Sequence, residues 1–162
     1  MIHHNTLIIG LGNPLRGDDG VGVRVAQALV EQALPDGVEV VDGGTQGLGL
    51  VSLLAGQQRV ILVDATEMGK SPGQFIRFTM EEAYLPGEDK AISIHDAGLR
   101  DALLLAQALE VLPDELVIFG VQPASIEWDS VLSPQVEATL PDLIRAVLKE
   151  AVAGSQEPEI SI

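Results

Sequence analysis

Short stretches that are apolar on both faces decide what this chain can fold into. Four segments read as strands: "NTLIIGLG" near residues 5–12, "VEVVDGG" near 38–44, "QRVILVDAT" near 58–66 and "DELVIFGVQ" near 114–122. Three of these four place apolar residues on both sides, as strands covered above and below require. A fifth, "GQFIRFTM" at 73–80, alternates more and belongs at a sheet edge. Aromatic residues make up only 3% of the chain against 46% apolar, so Val, Ile, Leu and Ala must form the core. Helical patterns separate the strands. Val21, Val25 and Leu29 recur on one face after Asp18, and Leu99, Leu103, Ala106 and Leu109 do so from Asp96. Ser133 and Pro134 start a third helix as N-cap and first-turn proline; Pro141 kinks or restarts it, and it runs to about Ala153. Strand–helix alternation predicts a three-layer α/β/α sandwich on a mainly parallel five-stranded sheet. Residues 1–153 are expected to form one α/β domain, with 154–162 a flexible C-terminal tail.

Composition then excludes several kinds of function. The chain has no cysteine, so disulfides, zinc–thiolate sites and thiol nucleophiles are ruled out. Nine Lys and Arg stand against 24 Asp and Glu, a formal charge of −15 that repels phosphate backbones. No nucleic-acid partner is expected. No apolar run approaches membrane-spanning length and no signal peptide is visible, which predicts a cytoplasmic protein without membrane insertion.

The first apolar run ends in a glycine-rich turn, "GLGNPLRGDDGVG". Such turns often cradle phosphate, but Leu15 stands where the dinucleotide fingerprint wants its third glycine. Asp42, at the end of the second strand, is placed to mimic a ribose-binding acid. Against that, Asp18 and Asp19 put negative charge at the helix start where a pyrophosphate would sit. No Gly-Lys-Ser/Thr closes a Walker loop. "GLGNP" also resembles the opening of peptidyl-tRNA hydrolases, but the His-Asn that should follow is missing. The opposite sign of ligand fits better. Asp18 is a natural N-cap, which leaves Asp19 to project a carboxylate over the sheet end.

Two further residues are placed to join it. Asp64 ends "VILVDAT", where an acid is either a cap or a site residue, and His95 lies in "SIHDAGL" just before a helix. His3 and His4 read as an ordinary tail. Ligands of open α/β sheets collect beyond the carboxyl ends of strands. Two carboxylates and one imidazole there would suit nickel, zinc, manganese or iron.

"GLGNPLRGDDGVG", "DGGTQGLGL", "ILVDATEMGKSPG", "SIHDAGLRDALLLA" and "GVQPASIEW", in this order, resemble the NiFe-hydrogenase maturation endopeptidases from Leu7 to about Leu148. The resemblance implies an α/β/α, phosphorylase/hydrolase-like fold. It implies a protease that removes the C-terminal extension of a hydrogenase large-subunit precursor after nickel insertion, in a family classed with both metallopeptidases and aspartic peptidases. Nickel would arrive in the precursor, and no organic cofactor is implied. The nickel-recognising positions fall on Asp19, Asp64 and His95, with Asp42 as a further catalytic or supporting acid. The alternative is a non-enzymatic nickel-binding accessory protein for hydrogenase assembly. With no cysteine and no nucleophile elbow in "GLGLVS", water is the expected nucleophile and an aspartate its general base.

Overall fold

A computed structural model of the chain describes residues 5–45, 47, 49–83 and 97–155. His3, His4, His95, Asp96 and the tail residues 156–162 lie outside the described residues. Five strands form one sheet: β1 (Thr6–Leu11), β2 (Val38–Gly44), β3 (Arg59–Ala65), β4 (Phe75–Thr79) and β5 (Glu115–Val121). Their order is β2-β1-β3-β5-β4. All neighbours are parallel except β4, which runs antiparallel to β5 at the edge where its alternating sequence belongs.

Five helices complete the described fold: α1 (Val21–Val30), α2 (Gly49–Leu54), α3 (Met80–Ala83), α4 (Ala97–Ala108) and α5 (Pro134–Ser155). Side chains alternate between the sheet's two faces, and each face meets its own helices. Ile8, Ile61, Val63, Val117 and Phe119 pack with Val21, Val25 and Leu29 of α1 and Leu143 and Val147 of α5. Leu7, Ile9, Val60, Leu62 and Ile118 pack with Leu50 and Leu54 of α2 and Leu103 and Ala106 of α4. The three-layer sandwich is therefore present. Among the described residues, no helix is long and apolar enough to cross a membrane.

Three local expectations change. Leu109 does not extend the buried face of α4: it is 57% exposed, because the helix has already ended at Ala108. Glu110 turns to φ 57°, and the N–H groups of Val111 and Glu110 return to the carbonyls of Ala106 and Gln107. Those two bonds make a Schellman terminus with glutamate where glycine is usual. Pro141 neither breaks nor restarts α5, which continues through it to Ser155, two residues into the expected tail. The short α2 was not anticipated.

Chain order places the site. From β1 the chain moves outward to β2, then crosses back over β1 to β3, so the strand order reverses between β1 and β3. In such sheets a crevice opens beyond the carboxyl ends at the reversal. The start of α1 is pressed into that point. A Cβ on Gly22 would lie 2.1 Å from the carbonyl oxygen of Val63 and 2.4 Å from that of Leu11, so only glycine lets the helix approach both strands.

Candidate active site

A cavity of about 530 Å³ opens at this reversal. Asn13, Arg16 and Asp19 of the loop after β1 line it, with Glu67 of the loop after β3 and Ser125 and Ile126 of the loop after β5. Leu50 and Leu99 contribute the α2 and α4 side.

The loop after β1 is shaped by its own polar groups. Gly12 adopts φ 122°, and its N–H donates to the carbonyl of Gly44 at 2.9 Å, tying the ends of β1 and β2 together. Asn13 Oδ1 accepts the N–H of Leu15 at 2.9 Å, a local turn of the kind asparagine favours. Residues Gly17–Gly20 then form a single 3-10 turn that leads into α1.

The two adjacent aspartates do different work. Asp18 is fully buried. It does not cap its own helix; no side-chain cap bond exists at the start of that turn. Instead its carboxylate accepts the N–H groups of Ala124 (2.8 Å), Ser125 (3.3 Å) and Ser133 (2.7 Å), and the hydroxyl of Ser133 (2.8 Å). Ser133 Oγ in turn accepts from Val136 N–H at 3.4 Å, the expected N-cap of α5. Four donors converging on one buried carboxylate bind the first loop to the loop after β5. Asp19 is half-buried at the cavity wall. Its Oδ2 accepts the N–H of Asn13 at 2.8 Å.

The other anticipated site residues lie close to this wall without all facing the cavity. Asp64, in register with Gly120, is 1% exposed, and its Oδ1 accepts the N–H of Ala65 at 2.9 Å. Ala65, not Asp64, lines the cavity. Asp42 is exposed at the end of β2, beside Gly10, and its Oδ1 accepts the N–H of Gly44 at 2.8 Å, so it shapes its own turn. His95 lies outside the described residues; Leu99, four positions later, lines the cavity. Among the described residues, no three His, Cys, Asp or Glu side chains are grouped closely enough to hold a metal ion. Asp42 and Asp64 thus stand at the carboxyl ends of β2 and β3 and Asp19 in the turn that leads into α1, and only Asp19 of the three lines the cavity.

Glu67 and Arg16 also line the site and Gln122 braces it, and none of the three was among the candidate site residues. Gln122 is 3% exposed. Its Oε1 accepts the N–H groups of Met68 and Lys70, and its Nε2 donates to Glu67 Oε2 at 2.9 Å, which fixes the "EMGK" loop and braces Glu67 at the cavity wall. A polar amide directly after the buried run of β5 was the available signal.

Comparisons with known proteins agree with this architecture. A family model described as hydrogenase maturation protease matches residues 23–150. The chain is 37% identical over 153 residues to the hydrogenase 2 maturation protease of Escherichia coli K12, covering 93% of this chain and 90% of that protein. It is equally 37% identical over 150 residues to the hydrogenase expression/formation protein HupM of Azotobacter chroococcum, covering 92% and 68%. Among solved structures, the hydrogenase maturating endopeptidase HybD from E. coli matches with a TM-score of 0.79 at 34% identity, over 92% of this chain and 93% of that one.

Proposed function

Because this chain belongs to the hydrogenase maturation protease family and is a peptidase, we propose that it removes the C-terminal extension of a NiFe-hydrogenase large-subunit precursor after nickel insertion. Membership in a family of proteases sets aside the non-enzymatic accessory role. In this reading nickel belongs to the substrate: it marks a precursor ready for cutting. Asp19, Asp64 and His95 recognise it, an oxygen, oxygen and nitrogen set of a type that nickel accepts. The imidazole must be neutral to take part, so recognition weakens as pH falls through the histidine's titration.

Water attacks the scissile carbonyl, and an aspartate accepts its proton as general base. Asp19 lines the cavity with one carboxylate oxygen engaged by Asn13, which leaves its other oxygen for the nickel. Asp42 shapes the adjoining turn. The observation that carries the reading is Asp19 at the wall of a cavity beyond the carboxyl ends of the parallel strands β1 and β3, with Asp64 near the end of β3 and Leu99 lining the cavity from α4.

The test is incubation with the large-subunit precursor, loaded with nickel or free of it, read by intact mass. Loaded precursor should shorten at its C-terminus while nickel-free precursor stays whole. Equal cutting of both removes nickel recognition from the reading. Asp19→Asn and His95→Ala should each abolish processing with melting curves unchanged; full processing by either variant means that recognition lies elsewhere.

A further inference from the structure

Arg16 is the only cationic side chain among the described residues lining the cavity, in a chain of net charge −15. Its guanidinium carbon lies 5.5 Å from the ring centroid of Trp128. The ion pairs of the described residues engage Arg24, Arg59, Arg77 and Arg145, and none engages Arg16. Arg16 Nε is buried without a hydrogen-bond partner. Leaving a buried donor unmade is unfavourable in the isolated protein.

Beside this cation the surface is apolar and uncovered. Trp128 is 75% exposed, Leu15 60% and Ile126 44%, so core packing does not explain the tryptophan. The two loops that carry these residues are fixed to each other. Asp129 N–H donates to the carbonyl of Leu15 and Gly17 N–H to that of Asp129, both at 2.9 Å, and Asp18 holds Ala124 and Ser125. The surface is therefore preorganised, and it runs into the cavity through Arg16 and Ile126. A second copy of the chain, equally acidic, would be repelled from it.

We propose that Arg16 and Trp128 form the docking corner for the substrate polypeptide. The guanidinium takes an acceptor oxygen of the precursor chain beside the scissile bond, and the indole, with Leu15 and Ile126, takes its apolar side chains. Arginine and tryptophan are the residue types that most often anchor such contacts. The inference rests on the processing reading above and adds the surface that selects the substrate.

Steady-state cleavage of nickel-loaded precursor tests it, comparing wild type with Trp128→Ala, Trp128→Phe, Arg16→Gln and Arg16→Lys, with Tm measured for each. Trp128→Ala and Arg16→Gln should raise KM by roughly tenfold with kcat little changed. Trp128→Phe should recover most of that loss, and Arg16→Lys part of it. Tm should stay at the wild-type value in Trp128→Ala. Unchanged KM in both severe variants overturns the corner, as does a fall in Tm that accounts for the lost activity. A concentration-dependent dimer abolished by Trp128→Ala, with KM unchanged, would assign the surface to self-association instead. If wild type leaves the precursor uncut, the processing reading fails and the corner falls with it.

Discussion

Asp18 and Asp19 are neighbours in sequence with opposite fates, and the difference is set by what each carboxylate meets. Four donors surround Asp18 in a site without solvent, so an amide cannot replace it: an asparagine side chain there would turn its NH2 group toward at least one backbone N–H. Asp18→Asn should cost about 2–4 kcal/mol of stability. Urea unfolding measures this, and a loss below about 0.5 kcal/mol, the range of an ordinary surface change, would mean that the network is not holding the loops. The sequence pointed to this residue for the wrong reason. An aspartate before a helical pattern looks like a local cap, whereas its partners here lie 106 to 115 positions away. Nothing local can reveal that. Asp19, by contrast, was legible as the aspartate left over once its neighbour was occupied.

Among the elements, the strands were legible because burial on both faces writes an unbroken apolar run into the sequence. All five lie within two residues of their expected limits. The long helices were legible from their repeating faces. α2 was not, since six residues flanked by glycine hold too little periodicity to register. The end of α4 was misjudged because a Schellman turn built on Glu110 lacks the glycine that usually announces one. The contact of α1 with β1 and β3 gives a prediction. Gly22→Ala forces a methyl to within 2.1 Å of the carbonyl oxygen of Val63, so the helix must shift or the strand bend. A loss of about 3 kcal/mol or more is expected, with processing falling further as the Asp19 turn moves. Gln27→Ala, at an exposed position of the same helix, is the control and should change stability by less than about 0.5 kcal/mol. Equal stability of the two variants would show that the approach is not close enough to matter.

At the scale of the whole molecule, one network of ion pairs joins three strands to the last helix. Arg59 Nε donates to Glu115 Oε2, and Arg59 Nη2 and Arg77 Nη2 both donate to Glu150 Oε1, each at 2.8 Å. Burial pushes the pKa of Glu150 up, but the hydrogen bond and charge of Arg77, with the charge of Arg59, outweigh it and hold the carboxyl below its ordinary value of 4.5. A carboxyl depressed on folding stabilises the folded state above its unfolded pKa, and that contribution disappears as pH falls through the folded pKa. Glu150→Gln should therefore be less stable than wild type at neutral pH, with the gap closing below about pH 4. Self-repulsion of so acidic a chain also changes over that range, so the difference between variant and wild type is the quantity to follow, by denaturant unfolding at each pH. A gap that stays constant would show that this network does not link stability to protons.

The bonds from Asp18 to residues 124–133 have a consequence for how the enzyme comes into being. Synthesis runs from the N-terminus, so the loop bearing Asp19 emerges long before Ser125 and Ile126, which wall the same cavity. A nascent chain stopped after β4 would own the acidic turn and have nothing to clamp it. Cutting ability therefore arrives only with the final third of the polypeptide, and a ribosome-bound fragment is a protease in composition alone.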